Sequence, residues 1–111
     1  MELVIPKIEK GGSALITQAE TPTPVYPVTS RRKFRPRSII ATNPVSGTTA
    51  NVRLYDLVSA AETLRLQLMV RDNDTVVLNR DDLYGAPEFL TSVVAVSSVS
   101  GVFIMVGGDE W

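Results

Sequence analysis

The strongest chemical signal in the chain is a run of positive charge around one aromatic residue, Phe34. Five of the seven residues from 31 to 37 are cationic. In an extended backbone, alternate side chains project to the same side, so four of these charges would form a single row. Such a row suits an acidic protein surface. The cationic residues are Arg31, Arg32, Lys33, Arg35 and Arg37.

Two other readings of this run stay open. It could neutralise nucleic-acid phosphates with a base stacked on Phe34, or it could simply be a solvated stretch. A nucleic-acid-binding domain is typically basic, whereas this chain has a formal net charge of −1 and an isoelectric point near 5.3. We therefore expect contact with protein and do not expect nucleic acid as a partner.

Two acidic pairs, Asp72 with Asp74 and Asp81 with Asp82, are the next candidates for chemistry. A calcium ion needs six to eight oxygen ligands, and neither pair lies in a loop with the glycine and terminal glutamate that mark a calcium site. Aspartate side chains commonly accept hydrogen bonds from backbone N–H groups in turns. We expect these residues to cap turns, and we expect no metal or cofactor.

Two aromatic residues, Tyr84 and Trp111, could stack on a ligand. Aromatic residues more often serve as anchors in a core or an interface. The chain contains no cysteine and no histidine. It therefore has no thiolate nucleophile, no Ser-His-Asp triad and no thiol or imidazole zinc site, and we expect no enzymatic activity.

The elements that would position these residues fall into two parts with opposite charge. Residues 1–37 contain seven Lys/Arg, three Asp/Glu and five of the seven prolines, whereas the remaining 74 residues contain four Lys/Arg and nine Asp/Glu. Prolines hold the backbone extended. The sequence therefore predicts a basic, extended N-terminal arm over residues 1–37 and a compact, acidic body over residues 38–111.

The predicted arm carries apolar and aromatic residues that could order it on a neighbouring subunit. A permanently disordered tail is the alternative, since the arm is rich in Pro, Thr and Ser. With the five cations, we predict that these residues bind a partner. They are the apolar anchors Leu3, Val4, Ile5, Leu15 and Ile16 and the aromatic anchors Tyr26 and Phe34.

Short alternating segments predict that the body is all-β. Residues 63–71 alternate strictly, which indicates a strand, and residues 58–62 suit one helical turn or a wide loop. Residues 72–74 predict a hairpin turn. Residues 92–98 and 102–107 predict a hairpin that is apolar on both faces, so it should lie in the middle of a sheet or against a partner. The expected fold is a small antiparallel β-sandwich or barrel.

A body of 74 residues is close to the lower limit for a stable domain, because its core barely offsets the entropy of ordering the chain. Without disulfides or metals, association is the remaining source of stability. The early Glu2 and Pro6 argue against a secretory signal. The longest uncharged apolar run, residues 102–106, is too short to cross a membrane. We expect a soluble, unprocessed chain that contacts no membrane.

A series of segments in the body resembles small β-sandwich virion proteins of tailed bacteriophages. The series comprises an apolar strand ending in Asn, a Ser-Gly-Thr turn, an alternating strand, a Leu-rich strand, an acid-Leu-Tyr step and a Ser-Gly turn. These segments are residues 38–43, 46–48, 52–55, 64–70, 82–84 and 100–101. The family usually has one residue between the acid and Leu-Tyr. In this chain Asp81 has that spacing, and Asp82 occupies the intervening position.

The resemblance implies a jelly-roll or related fold and a structural role without catalytic residues. It is greatest for capsid decoration (cement) proteins, which clamp adjacent subunits with a terminal arm, commonly as homotrimers at capsid symmetry axes. The implied partners are other copies of the chain and the major capsid protein. The implied location is the capsid exterior of the virion, after synthesis in the host cytoplasm. A neck or tail accessory protein and a glycan-binding tail module are the alternatives.

Overall fold

Residues 8–58 and 61–111 are described by a computed structural model, and their regular structure consists of eight β-strands without a helix. The strands are β1 (Ile8–Ile16), β2 (Thr23–Pro27), β3 (Phe34–Asn43), β4 (Ala50–Val58), β5 (Ala61–Val70), β6 (Asp74–Leu78), β7 (Ser92–Ser97) and β8 (Val102–Glu110).

The strands pair as if the chain were folded in half between β4 and β5. Antiparallel pairs form between β4 and β5, β3 and β6, β2 and β7, and β1 and β8. Further pairing of β3 with β8 and of β4 with β7 joins these four pairs into two sheets. Sheet A has the order β1-β8-β3-β6, and sheet B has the order β2-β7-β4-β5. This wrapped arrangement is a jelly-roll β-sandwich, which confirms the predicted fold class.

Every connection except that between β4 and β5 passes from one sheet to the other. The predicted hairpin turn at residues 72–74 is therefore wrong, since β5 and β6 lie in different sheets. The predicted final hairpin is wrong for the same reason, because β7 and β8 are joined by an arch between sheets. Their predicted central position is confirmed, as each lies in the interior of its own sheet.

The β4–β5 connection replaces the helical turn or wide loop predicted at residues 58–62. The two strands pair as far as Val58 with Ala61, so this is a tight hairpin whose residues 59 and 60 lie outside the described part of the chain. The predicted strand at residues 63–71 corresponds to β5. A bulge at Leu54 and Tyr55 shifts the register between β4 and β5. The leucines of β5 are therefore not equally buried, since Leu64 is exposed whereas Leu68 is buried.

The described part of the predicted arm belongs to the sandwich, so the predicted boundary at residues 37 and 38 is wrong there. Strand β1 pairs along its whole length with β8, and β3 runs across the boundary. The Gly11-Gly12 pair lies within β1. A side chain at Gly12 would come within 2.2 Å of the Val25 carbonyl oxygen, so this position requires glycine. Glycine here permits close approach of two backbones.

Three prolines of the predicted arm occupy positions where a strand tolerates them. Pro24 and Pro27 lie in β2, which is an edge strand of sheet B. Pro36 lies at a bulge in β3. At an edge or a bulge, a missing N–H group does not break the ladder of hydrogen bonds. These three prolines are therefore compatible with strand structure.

A single apolar core lies between the inner faces of the two sheets. It draws on the predicted arm as well as on the predicted body, and its largest fully buried side chains include Ile16, Phe34, Ile39, Leu54, Phe89 and Ile104. The bulge after Pro36 keeps both halves of β3 directed inward, because it restores the alternation that an extra residue would otherwise reverse.

Candidate functional site

Three of the predicted partner-binding residues, Ile16, Tyr26 and Phe34, lie in the core, so their prediction as contact residues is wrong. Ile16 and Phe34 are completely buried, and the Tyr26 ring packs on the Phe34 ring with centroids 4.7 Å apart. These residues hold the sandwich together. Leu15 is exposed on β1, and the predicted anchors Leu3, Val4 and Ile5 lie outside the described residues.

Buried Glu110, at the end of β8, ties the two sheets together beside this aromatic pair. Its carboxylate accepts hydrogen bonds from the Tyr26 hydroxyl and from the Thr29 backbone N–H. Burial alone would raise the pKa of Glu110, but the bonds from Thr29 and Tyr26 and the nearby charge of Arg32 hold it below its usual value. Burial and the bond to Glu110 raise the pKa of Tyr26, so its hydroxyl remains a donor.

Three of the five predicted cations make ion pairs within the protein, Arg35 and Arg37 at short distance and Lys33 with Glu88 at 3.7 Å. The Arg35 guanidinium lies 2.7 Å from a Glu88 oxygen, and the Arg37 Nε lies 3.2 Å from an Asp109 oxygen. Arg35 also lies over the ring of Trp111, with its guanidinium carbon 5.2 Å from the ring centroid. These internal contacts reduce what these residues can offer a partner.

The cations Arg31, Arg32 and Lys33 form a turn that we call the basic turn. Together with Trp111, this turn lines an open depression of about 400 Å³. Lys33 and Trp111 exchange two backbone hydrogen bonds, with N to O distances of 2.8 and 3.0 Å. Arg31 has a φ of 66°, in the left-handed region that side chains other than glycine, Asn and Asp seldom adopt.

A second candidate surface is a group of five exposed or half-exposed apolar residues on the outer face of sheet A. Leu15 and Val77 are 55% and 60% exposed, and Met105 and Phe103 are 45% and 37% exposed. These four and half-buried Ile40 lie on adjacent strands in register. We call this surface the sheet A patch.

The register places the sheet A patch in two neighbouring rows across four strands. One row contains Leu15, Phe103, Thr42 and Thr75, and the next contains Ser13, Met105, Ile40 and Val77. Beside the second row, a depression of about 340 Å³ is lined in part by Gly11, Ser38 and Gly107. The outer face of sheet A therefore combines a flat apolar area with an adjoining recess.

The outer face of sheet B is covered by its own side chains. Val94 and Val96 point outward from β7 but are almost fully buried. Arg53 lies beside Val96 on β4, and Glu20 lies on the opposite side of β7, where its N–H donates to the Ser97 carbonyl at 2.7 Å. The ion pair between Arg53 and Glu20 therefore crosses β7 above Val96.

The predicted turn-capping role of the aspartates is confirmed for Asp82, which accepts a hydrogen bond from the Asn79 N–H at 2.9 Å. Asp72 instead accepts a hydrogen bond from the N–H of Gly47 in a distant turn, at 3.1 Å. Within residues 8–58 and 61–111, no group of three or more acidic side chains comes together to hold a metal ion.

The two aromatic residues that the sequence analysis singled out have different surroundings. Tyr84 is 89% exposed, so it is no core residue. Trp111 is partly buried and contacts Arg35. The sequence indicated that residues 102–107 are apolar on both faces, but the rest of the sheet A patch could not be recognised, because the pairing that brings Leu15, Ile40 and Val77 beside β8 is not visible in the sequence.

The chain matches no protein-family model and no curated protein sequence. No helix that could cross a membrane occurs in the part of the chain that the structure describes.

Proposed function

We propose that the protein is a non-enzymatic structural component of a tailed-bacteriophage particle, of the capsid decoration (cement) kind. It attaches to the major capsid protein on the capsid exterior, after synthesis in the host cytoplasm. The jelly-roll topology supports this proposal, since viral capsid proteins are among the proteins built on that fold. The same fold serves many functions, so the proposal depends on a surface rather than on topology.

The observation that carries the proposal is the sheet A patch. Its large apolar side chains lie side by side on a flat face and remain in contact with water in the single chain. Neighbouring apolar residues that are exposed in this way often mark a contact surface. Covering them would release the ordered water around them and stabilise the complex.

The size of the patch favours a repeating partner over a single second copy. With strands about 4.8 Å apart and rows about 6.8 Å apart, four strands and two rows span about 260 Å². A stable pairwise interface needs about 800 Å² on each partner. On a capsid, a homotrimer such as the resemblance implies would present three patches at once, and simultaneous contacts strengthen binding without enlarging any one of them.

The experiment that tests the proposal is mass spectrometry of purified particles from the phage that carries this sequence. We expect many copies of the protein per particle. Met105→Glu places a charge in the centre of the patch and should lower the copy number at least tenfold, since burying an unpaired charge costs about 2 kcal/mol or more. The control is Met69→Glu on β5 of sheet B, where the methionine is also exposed.

Four results would overturn the proposal or part of it. Absence of the protein from purified particles would exclude a virion role. Equal loss from both methionine variants would show that the sheet A patch is not the contact. Dimers in solution that dissociate in Met105→Glu would assign the patch to a second copy of the chain. Protein found only at the neck or tail would favour the accessory role.

Glycan binding is the second candidate, because Tyr84 is almost fully exposed on a fold that lectins also use. An exposed aromatic ring can stack on the apolar face of a sugar. A glycan array probed with the native protein and with Tyr84→Ala tests this function. Binding that is lost in the variant would support it, and an array without any binding would exclude it.

A further inference from the structure

We infer that the basic turn and Trp111 form a binding site for an acidic peptide segment of a partner protein, with at least two carboxylates. This site lies apart from the residues of the sheet A patch. The inference concerns the isolated protein, so it stands whether or not the patch binds a capsid subunit.

The first argument is the rigidity of the site. The Arg32 N–H donates to the Thr29 carbonyl at 3.0 Å, which closes the turn. The Thr29 N–H in turn donates to the buried carboxylate of Glu110 at 3.2 Å. Paired backbone bonds between Lys33 and Trp111 then fix the turn to the end of β8. A site held in this way loses little entropy when a ligand binds.

The second argument is that its positive charge is only partly compensated. Glu88 is shared between Arg35 at 2.7 Å and Lys33 at 3.7 Å, so one carboxylate serves two cations. The charge of Arg32 lies near the buried carboxylate of Glu110 and lowers its pKa. The four cations at positions 31, 32, 33 and 35 therefore lie around two carboxylates, which leaves a net positive charge beside the depression.

The backbone of Arg31 points the same way. Its positive φ would be relaxed for glycine and is unfavourable for arginine. Unfavourable backbone conformations of this kind are concentrated at functional sites. The turn therefore carries a long cationic side chain at the position where conformation alone would favour glycine.

A peptide fits the site better than a nucleic acid. Strong binding to nucleic acid draws on six to ten phosphate contacts, whereas this site has three cations. A short acidic segment needs only a few carboxylate contacts, which the cations of the turn can supply.

Trp111 is the only tryptophan in the chain, so its fluorescence reports on this site directly. We would titrate the untagged protein with a hexaglutamate peptide and, separately, with a six-nucleotide thymidine oligomer. We expect saturable binding of hexaglutamate that weakens as salt is added. Tighter binding of the oligonucleotide than of hexaglutamate would show that the site prefers nucleic acid and would overturn the inference. Absence of hexaglutamate binding would also overturn it.

Matched variants identify the residues responsible. Arg31→Gly removes a charge while relaxing the backbone, and Arg32→Gln removes a charge but keeps a donor. Each should weaken hexaglutamate binding about fivefold. The control is Arg71→Gln, an exposed residue that follows β5, which should change the affinity less than twofold. Because Arg31→Gly cannot strain the turn, undiminished binding by this variant would contradict the inference even if Arg32→Gln failed to fold.

Discussion

The central strands of the two sheets, β7 and β8, occupy equivalent positions but have different outer faces. On β7 the outward residues Val94 and Val96 are 8% and 5% exposed, whereas on β8 the outward residues Phe103 and Met105 are 37% and 45% exposed. Position in the sheet does not account for this difference, because each strand is flanked on both sides.

The difference lies in the neighbouring side chains. Long side chains flank the β7 valines, with Arg53 beside Val96 and Tyr55 beside Val94, and the stem of an arginine can cover apolar surface while its charge stays in water. On sheet A, the neighbours of Phe103 are Leu15 and Thr42, and neither is long and charged. The chain thus covers one apolar face with its own residues and leaves the other exposed.

The largest expected effect comes from placing the same charge on each central strand. Val96→Glu should lower the free energy of unfolding by about 3 kcal/mol, because it puts a carboxylate into a dry, covered position. Met105→Glu should change it by less than about 1 kcal/mol, because that side chain already contacts water. Urea denaturation of the two variants measures both values.

These two variants also test whether the outer face of sheet A is exposed in solution. If Met105→Glu destabilises the chain as much as Val96→Glu, the outer face of sheet A is covered in solution, by a second copy or by another part of the chain. Light scattering at the same protein concentrations distinguishes these cases.

A smaller effect is expected from Glu110→Gln, which tests the polar tie between the sheets. At neutral pH the variant should be less stable by about 2 kcal/mol, through loss of charge-assisted hydrogen bonds. Because the folded pKa of Glu110 lies below its ordinary value of 4.5, the native protein should lose this advantage as the pH falls below about 4.5 and through the folded pKa.

Unfolding midpoints measured from pH 7 to pH 3 check this dependence. The curves of the native protein and of Glu110→Gln should approach each other in acid, and parallel curves would contradict the assignment. These midpoints also show at which pH values the two sheets remain packed together. Only at those values can exposed apolar surface be attributed to the outer face of sheet A.

The smallest change in stability, within about 0.5 kcal/mol, is expected when the cover of sheet B is transferred to sheet A. Leu15→Glu with Thr42→Arg places an ion pair across Phe103, as Glu20 and Arg53 lie across Val96. Binding of a hydrophobic dye and attachment to particles should both decrease. The control is Leu15→Gln with Thr42→Gln, which is polar but cannot form the ion pair.

Dye binding that falls equally in both double variants would show that polarity, rather than cover, separates the two faces. Dye binding that does not fall in either would show that the dye reports on another surface. Either result would require a different account of why Phe103 and Met105 are exposed.

The all-β class could be predicted because alternation is a local property of the sequence. Residues 63–71 alternate regardless of their partners, and all of them except Arg71 lie in β5 (Ala61–Val70). The central positions of β7 and β8 could also be predicted, because strands that are apolar on both faces need neighbours on both sides. These inferences required no knowledge of which strands pair.

Strand pairing could not be predicted, because the deciding contacts are distant in sequence. Residues 72–74 and 98–101 have turn composition, yet both connections pass between sheets rather than close a hairpin. The Gly11-Gly12 pair would ordinarily indicate the end of a strand. Only the closeness of the Val25 carbonyl oxygen to Gly12 explains why glycine lies within β1. Asp56 is fully buried and accepts backbone bonds from Leu90 and Thr91, a role that its local sequence does not reveal.

Because early strands pair with late ones, the two sheets can be completed only near the end of synthesis. The tight β4–β5 hairpin can form alone, but β8 lies between β1 and β3, so sheet A has a gap at its centre until β8 leaves the ribosome. Topologies with such distant pairing fold over milliseconds to seconds. Throughout synthesis the apolar side chains of β1 and β3 lack their partner, and an interrupted chain would be prone to aggregate.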